Sequence, residues 1–136
     1  MVACLMVLGE TNSTTTIASS NGANDKPLLS IVVPLFNEHE VFAALQTRLL
    51  ELQTSIGAEY TVQIVLVDDG SSDDTWPLVK AFADQHSCVK GVSLTRNFGH
   101  QRALFCGYNF ADGDIIVSMD GDLQDPPDLI PAMLAE

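Results

Sequence analysis

The sequence has few positive charges and no long hydrophobic run. Its 136 residues contain 6 Lys and Arg against 18 Asp and Glu, which gives a formal net charge of −12. A nucleic-acid-binding protein needs a basic face, so the composition argues against nucleic acid as a partner and against simple adhesion to an anionic membrane. No stretch approaches the roughly 18 apolar residues of a membrane-spanning helix, so we predict no transmembrane segment in this chain. Its acidity predicts that a divalent cation accompanies any phosphate-bearing ligand.

Patterns typical of zinc, disulfide and dinucleotide sites are also missing. The three cysteines show no C-x-x-C spacing, and their odd, scattered number predicts reduced thiols in a cytoplasmic setting. The three histidines match no zinc pattern. The sequence contains no G-x-G-x-x-G, the glycine loop of a Rossmann dinucleotide site. A nucleotide site in this chain must therefore use other residues.

The chain divides into a lead-in and one domain. Residues 11–26 are rich in Ser, Thr, Asn and Gly, and we predict a disordered lead-in over residues 1–27. Residues 28–136 suffice for one compact domain but not for two. Because the sequence ends at Glu136 inside a predicted helix, we expect this domain to be part of a longer protein.

Apolar strands alternate with helices from residue 28 onward. Almost wholly apolar strands are predicted at residues 29–34, 61–67, 89–94 and 114–119, each followed by a helix. Asn37 is predicted to cap the first helix together with Glu40, and Asp73 or Asp74 to cap the second. Strands that are apolar on both faces, with short connections to helices, predict an α/β fold. Its sheet is open and mostly parallel, with helices on both faces.

Polar loops follow each of the four predicted strands. They comprise residues 34–38, 68–73, 96–100 and 120–124. Ligands of open α/β sheets bind outside the carboxyl ends of the strands. We therefore expect the four loops to surround a single binding site.

The last of these loops supplies the candidate metal ligands Asp120, Asp122 and Gln124. Alternate side chains of an extended segment point the same way, so the three side chains can converge on one Mg²⁺ or Mn²⁺. An ordinary acidic turn is the alternative, because Asp and Gly also favour turns. A calcium loop of the EF-hand type fits poorly, since Asp125 and Pro131 stand where it needs Gly and Glu.

The other loops supply candidate contacts to a nucleotide. Asp69 is expected to contact a base or a ribose, whereas Asp68 is expected to be structural. Phe36 is a candidate to flank a base, and Glu38 is a candidate ribose or base contact.

The loop at residues 96–100 brings a cation to this acidic edge. Arg96 is expected either to pair with Asp120 or to meet a diphosphate, and the sequence does not choose between them. His100 is a second candidate phosphate contact, although a single histidine near a helix start is more often a plain surface residue.

Four ordered motifs together resemble glycosyltransferase family 2. They are SIVVPLFNE at residues 30–38, VDDGSSD at 67–73, RNFGHQ at 96–101 and MDGDLQDPP at 119–127. The chain is most similar to the branch that transfers sugars to polyprenyl phosphates, such as dolichol-phosphate mannosyltransferases. The resemblance covers roughly residues 28–136.

The resemblance implies the nucleotide-diphospho-sugar transferase fold called GT-A, here truncated. It implies inverting transfer of a hexosyl group from a UDP- or GDP-sugar to a dolichyl or undecaprenyl phosphate, with Mg²⁺ or Mn²⁺ as cofactor. The residues expected to bind the nucleotide-sugar are Pro34, Phe36, Glu38, Asp69, Arg96 and Asp120. The metal ligands would be Asp120 and Asp122, with Gln124 assisting.

Two departures from the family pattern leave alternatives open: the sequence lacks both the acceptor half of the family's domain and the C-terminal membrane helices that many members of this branch carry. The acceptor half of the family's domain would lie beyond Glu136, so no catalytic residue is assigned and the chain alone is expected to be inactive. The intact protein is expected at the cytoplasmic face of a membrane. The rivals are a glycosyltransferase with a soluble acceptor, a non-catalytic nucleotide-binding or scaffolding fragment, and a phosphohydrolase with Asp120 as nucleophile.

Overall fold

The computed structural model describes residues 4–8 and 26–121. The elements follow in the order β1 (Cys4–Leu8), β2 (Leu28–Leu35), α1 (Phe42–Ile56), β3 (Thr61–Asp68), α2 (Thr75–Gln85), β4 (Val89–Leu94), α3 (His100–Phe110) and β5 (Ile115–Ser118). One five-stranded sheet has the order β1-β4-β3-β2-β5. Strands β2 to β5 are parallel, and β1 runs antiparallel to β4. The predicted mostly parallel sheet is confirmed.

Helices cover both faces of the sheet. Leu29, Ile31 and Val33 of β2 point to one face, where they form a buried core with residues of α1 and α2. Val32 points to the other face and packs with Ala103 and Cys106 of α3. Alternate side chains of a strand point to opposite faces, so strands that are apolar at nearly every position require cover on both sides.

Gly107 lets α3 lie close to its face of the sheet. A Cβ atom at this position would stand 2.4 Å from Cγ1 of Val32 and 3.0 Å from Cγ2 of Val67. A larger side chain would push the helix away from β2 and β3. This close approach seats α3 directly against β2 and β3.

Strand β1 was not predicted. It lies inside residues 1–27, for which the sequence predicted disorder, and it pairs with β4 over Cys4–Leu8. A short apolar run can form a strand once a sheet edge offers hydrogen-bonding partners. The domain boundary at residue 28 stays a prediction, and the predicted last helix lies outside the described residues.

The predicted capping box at the start of α1 is wrong. The residue that precedes the helix is Val41, and it makes no side-chain capping bond. Asn37 instead adopts a left-handed conformation with φ 54°. Its Oδ1 accepts a hydrogen bond from the backbone N–H of Ser72 at 2.9 Å. A bond to a neighbouring loop, invisible in local sequence, displaced the local cap.

The predicted capping of α2 by Asp73 or Asp74 is confirmed for Asp73 only. The Oδ1 atom of Asp73 accepts a hydrogen bond from the N–H of Thr75, the first helical residue, at 2.9 Å. Asp74 makes no such bond. The expectation of reduced thiols holds for Cys88 but fails for Cys106, which is disulfide-bonded.

Candidate functional site

A cavity of about 420 Å³ lies where the four parallel strands end. All four polar loops contribute to it. The lining residues are Pro34, Leu35, Phe36, Glu38, Asp69, Asn97, Gly99, His100, Asp120 and Gly121. The parallel register of β2 with β3 and with β5 brings the loops to one edge of the sheet, as expected from the order of the motifs.

The loop after β2 supplies an aromatic ring and a carboxylate to this cavity. Phe36 is 45% exposed, so one face of its ring is accessible to a ligand. The backbone N–H of Glu38 donates to Oγ1 of Thr75 at 2.9 Å. This bond fixes the backbone of Glu38 against the start of α2, whereas Phe36 projects from the edge.

A set of hydrogen bonds, here called the loop clasp, joins the loop after β2 to the loop after β3. Besides the Asn37–Ser72 and Glu38–Thr75 bonds, the N–H of Asn37 donates to Oγ of Ser71 at 2.8 Å. His39 Nδ1 lies 2.7 Å from Oδ2 of Asp73. The clasp joins the two loops into one wall of the cavity.

The His39–Asp73 contact shifts both titrations. The hydrogen bond to Asp73 raises the pKa of His39 above 6.5, while desolvation opposes this rise and the nearby carboxylates add to it. Burial acts to raise the pKa of Asp73, but the hydrogen bonds from Thr75 and His39 together lower it well below 3.8. The charged pair is therefore favoured in the folded protein.

Asp69 is buried, and its carboxylate organises the loop after β4. Oδ1 accepts the N–H of Phe98 at 2.8 Å, and Oδ2 accepts the N–H of Gly99 and Nδ2 of Asn97, both at 3.1 Å. Asp69 thus lines the cavity but is engaged by three donors of its neighbouring loop. Its predicted contact to a base or ribose stays a prediction.

Gly70 lets the same two loops come together. It has φ +72°, and a Cβ atom here would stand 2.3 Å from the carbonyl carbon of Arg96 and 2.4 Å from the nitrogen of Asn97. Both the conformation and the space therefore require glycine. The glycine of the DDG sequence therefore indicates a tight contact between the two loops, not a contact to a ligand.

Asp68 lies at the end of the central strand β3 and is 2% exposed. Its Oδ1 atom has no hydrogen-bond partner in the described part of the chain. Burial raises the pKa of this carboxyl, and hydrogen bonds from Ser71 oppose the rise. Asp68 is not among the residues that line the cavity.

Arg96 does not pair with Asp120. Its guanidinium stacks on the ring of Phe98, 4.4 Å from the ring centre, and Arg96 is not among the residues lining the cavity. The side chain beside Asp120 is His100, whose Nε2 lies 3.7 Å from Oδ1. A cation–π contact with the residue two positions on holds Arg96 away. Its predicted role toward the nucleotide-sugar stays a prediction.

Sequence reasoning assigned no role to Asn97, and it named His100 only as a second candidate phosphate contact. Their signal was present, because they stand in the polar loop that follows β4. Arg96 drew the prediction because it carries a permanent charge. Position in the loop, rather than charge, decides which residues face the cavity.

One of the three predicted metal ligands lies in the described part of the chain. Asp120 lines the cavity with its side chain 44% exposed, and a carboxylate oxygen suits a hard divalent cation. Gly121 keeps this turn tight, because a Cβ atom there would meet Cδ2 of Leu35 at 2.2 Å. Residues 26–121 contain no group of three or more His, Cys, Asp or Glu able to hold a metal ion. Asp122 and Gln124 lie outside the described residues.

Within the same described ranges, no helix is long and apolar enough to cross a membrane.

The sequence matches the family described as "Glycosyl transferase family 2" over residues 30–136. It is 40% identical over 107 residues to undecaprenyl-phosphate 4-deoxy-4-formamido-L-arabinose transferase of Serratia proteamaculans (strain 568). That alignment covers 78% of this chain and 32% of the relative. The chain thus spans about a third of that relative's length.

Solved structures show the same fold. A mannosyltransferase from Pyrobaculum calidifontis, in complex with GDP-Man and Mn²⁺, has a TM-score of 0.62 at 22% identity, over 83% of this chain and 37% of that one. Glucosyl-3-phosphoglycerate synthase from Mycobacterium tuberculosis, in complex with Mn²⁺, UDP and glucosyl-3-phosphoglycerate, has a TM-score of 0.58 at 24% identity, over 93% and 45%. The predicted GT-A fold is confirmed, and the chain belongs to glycosyltransferase family 2.

Proposed function

We propose that this chain forms the donor-binding part of an enzyme that transfers a hexosyl group from a nucleotide-diphospho-sugar to a polyprenyl phosphate. The proposal includes inversion at the anomeric carbon and dependence on Mg²⁺ or Mn²⁺. The relative from Serratia acts, by its name, on undecaprenyl phosphate, which supports a lipid-phosphate acceptor. Such an acceptor would place the intact protein at a membrane, at its cytoplasmic face in our proposal.

The observation that carries the proposal is the single cavity formed by all four motif-bearing loops. Phe36, Glu38 and Asp69 stand on the side of β2 and β3, and Asp120 stands at the end of β5. This separation suits an extended ligand with a nucleoside at one end and a diphosphate at the other. A site of this size accommodates a ligand of nucleotide dimensions.

The chain's own residues would divide the work of binding the donor. The ring of Phe36 offers an apolar surface to the base, with Pro34 beside it at the end of β2. Glu38 and Asp69 offer acceptors for a base N–H or a ribose hydroxyl. Asp120, with Asp122 and Gln124 after it in the sequence, would hold the cation against the diphosphate.

The reaction would be a direct displacement. An oxygen of the acceptor phosphate attacks the anomeric carbon, and the bond from that carbon to the nucleoside diphosphate breaks with its electron pair leaving on the diphosphate. A bound divalent cation supplies stabilisation of the negative charge on this leaving group. The acceptor oxygen is already anionic, so it needs little help from a general base.

Titration of the intact protein with UDP and GDP, with and without Mn²⁺, tests the donor site. We expect one nucleoside diphosphate to bind more tightly with Mn²⁺, and we expect Asp120→Asn and Asp122→Asn each to reduce that Mn²⁺-dependent affinity at least about tenfold. Asp84→Asn, on the exposed side of α2, removes the same charge far from the cavity and serves as the control. Unchanged affinity in both ligand variants would refute the metal assignment.

The acceptor is tested separately with a radiolabelled nucleotide-sugar. Label is expected to pass into the organic phase when undecaprenyl or dolichyl phosphate is added, and the product is expected to have the opposite anomeric configuration to the donor. Transfer to a polysaccharide with no transfer to either lipid would select a soluble acceptor instead. Binding without any transfer would indicate a non-catalytic protein.

A further inference from the structure

The cavity offers few side-chain hydrogen-bond donors for an anion. Among its described lining residues only Asn97 and His100 carry side-chain N–H groups. Nδ2 of Asn97 already contacts Asp69, at 3.2 Å from the backbone oxygen and 3.1 Å from Oδ2. The guanidinium of Arg96 lies on the ring of Phe98 instead. His100 is therefore the lining side chain best able to donate to a ligand.

His100 is held in place by its backbone while its ring remains accessible. The two preceding residues, Phe98 and Gly99, donate their N–H groups to the buried carboxylate of Asp69. Gly99, with φ +106°, then turns the chain into α3, of which His100 is the first residue. The side chain of His100 is 58% exposed. A fixed backbone with an accessible ring suits a ligand contact.

The ring also lies on the side of the cavity where the diphosphate is expected. Its Nε2 is 3.7 Å from Oδ1 of Asp120, too long for a hydrogen bond but close enough for both groups to meet the same ligand. Asp120 is an acceptor and needs a cation between itself and an anion. His100 can donate directly.

We propose that His100 donates a hydrogen bond from its ring to the diphosphate of the bound nucleotide, beside the cation held by Asp120. This inference rests on the proposed function, because it takes the ligand to be a nucleoside diphosphate. The bond strengthens as the diphosphate gains charge when its bond to the sugar breaks. His100 then contributes to both the binding and the departure of the leaving group.

The test compares ligands that differ only in phosphate. Uridine, UMP and UDP, and the guanosine series, are titrated by calorimetry into wild type and His100→Ala with saturating Mn²⁺. We expect His100→Ala to weaken diphosphate binding about tenfold or more and to leave nucleoside affinity unchanged, as the loss of a hydrogen bond to a charged group predicts. His100→Gln, which keeps a side-chain N–H, is expected to recover part of the loss.

Arg102→Ala is the matched control. Arg102 is exposed in the first turns of α3 and does not line the cavity, so its removal changes the local charge without touching the ligand. We expect this variant to bind the diphosphate within about twofold of wild type. An equal loss in Arg102→Ala and His100→Ala would reduce the effect of His100 to general electrostatics and would overturn the inference.

Two further outcomes separate the inference from the function it rests on. If wild type binds neither UDP nor GDP, the proposed function fails and the inference falls with it. If wild type binds a diphosphate and His100→Ala binds it equally well, the inference alone is overturned. A loss of Mn²⁺ affinity in His100→Ala without nucleotide would make His100 a metal ligand and would also overturn it.

Discussion

Asp69 illustrates at the residue scale how a carboxylate at a cavity can serve the protein's own structure. Both of its oxygens accept hydrogen bonds from the loop that carries His100, and the residue is 3% exposed. A buried carboxyl group needs hydrogen-bond partners to offset its lost hydration. Asp69 therefore shapes the loop whether or not it also contacts a nucleoside.

Asp69→Ala is expected to lower the free energy of unfolding by about 1 to 3 kcal/mol, because backbone N–H groups of Phe98 and Gly99 lose their acceptor. Urea unfolding of the protein followed by circular dichroism measures this change. Asp69→Asn keeps one acceptor oxygen, so its free energy of unfolding should lie between those of wild type and Asp69→Ala. Asp74→Ala, exposed and without a side-chain capping bond, is the control and should change stability by less than about 0.5 kcal/mol. If Asp69→Ala loses no more stability than Asp74→Ala, then Asp69 does not organise the loop after β4.

At the scale of elements, the loop clasp determines the shape of one cavity wall. Loops of a parallel sheet are separated by whole helices along the chain, so hydrogen bonds between the loops help to set their relative position. Here the hydrogen bonds of Asn37, Glu38 and His39 do so, with partners 34 to 37 residues away in the chain. The position of the wall that carries Phe36 therefore depends on this clasp.

The clasp predicts a pH dependence of stability. The folded pKa of His39 is raised above 6.5. Its contribution to the free energy of unfolding is therefore fully present below about pH 6.5 and is lost as the pH rises through the raised pKa. The folded pKa of Asp73 is lowered, so its contribution is present above about pH 3.8 and is lost as the pH falls through the lowered value. Both contributions coexist between about pH 4 and about pH 6.5.

Urea midpoints measured from about pH 5 to about pH 9 test this dependence. Wild type should lose more stability across the upper part of that range than His39→Gln, which cannot gain a proton at this position. The difference between the two profiles isolates His39 from the other histidines. Parallel profiles would show that the His39–Asp73 contact does not contribute to stability in solution.

At the scale of the whole molecule, α3 alone among the described helices packs on its face of the sheet, whereas α1 and α2 share the other. The helix also begins at His100, so its seating on the sheet positions one side of the cavity. At Gly107 the helix lies so close to the sheet that a Cβ atom would stand 2.4 Å from Cγ1 of Val32. This helix therefore both packs in the core and positions a residue that lines the cavity.

Gly107→Ala should be destabilising although alanine is the better helix former. The gain in helix propensity is about 1 kcal/mol, whereas a Cβ atom 2.4 Å from the buried Val32 side chain forces α3 outward at a cost of about 1 to 3 kcal/mol. Thermal unfolding should show a lower midpoint, and nucleotide affinity should fall as His100 moves with the helix. Gln101→Ala, exposed in the same helix, is the control. A raised midpoint in Gly107→Ala would show that α3 is not closely seated.

From residue 28 onward, the order of strands and helices, the parallel sheet and the edge that carries the site follow from the sequence alone. Apolar strands, helical periodicity and polar loops are local patterns, and chain connectivity brings the four loops to one edge. The predicted strand boundaries agree with the structure to within one residue, whereas the predicted cap of α1 is wrong.

The tertiary structure alone determined which partner each polar side chain contacts. Asn37 bonds to Ser72 instead of capping α1, Arg96 stacks on Phe98 instead of meeting Asp120, and Asp69 binds the loop before α3. Strand β1 likewise forms because β4 offers it an open edge. Apart from the Arg96–Phe98 contact, these choices depend on groups far apart in the chain, whose distances are set by packing, so no local pattern encodes them.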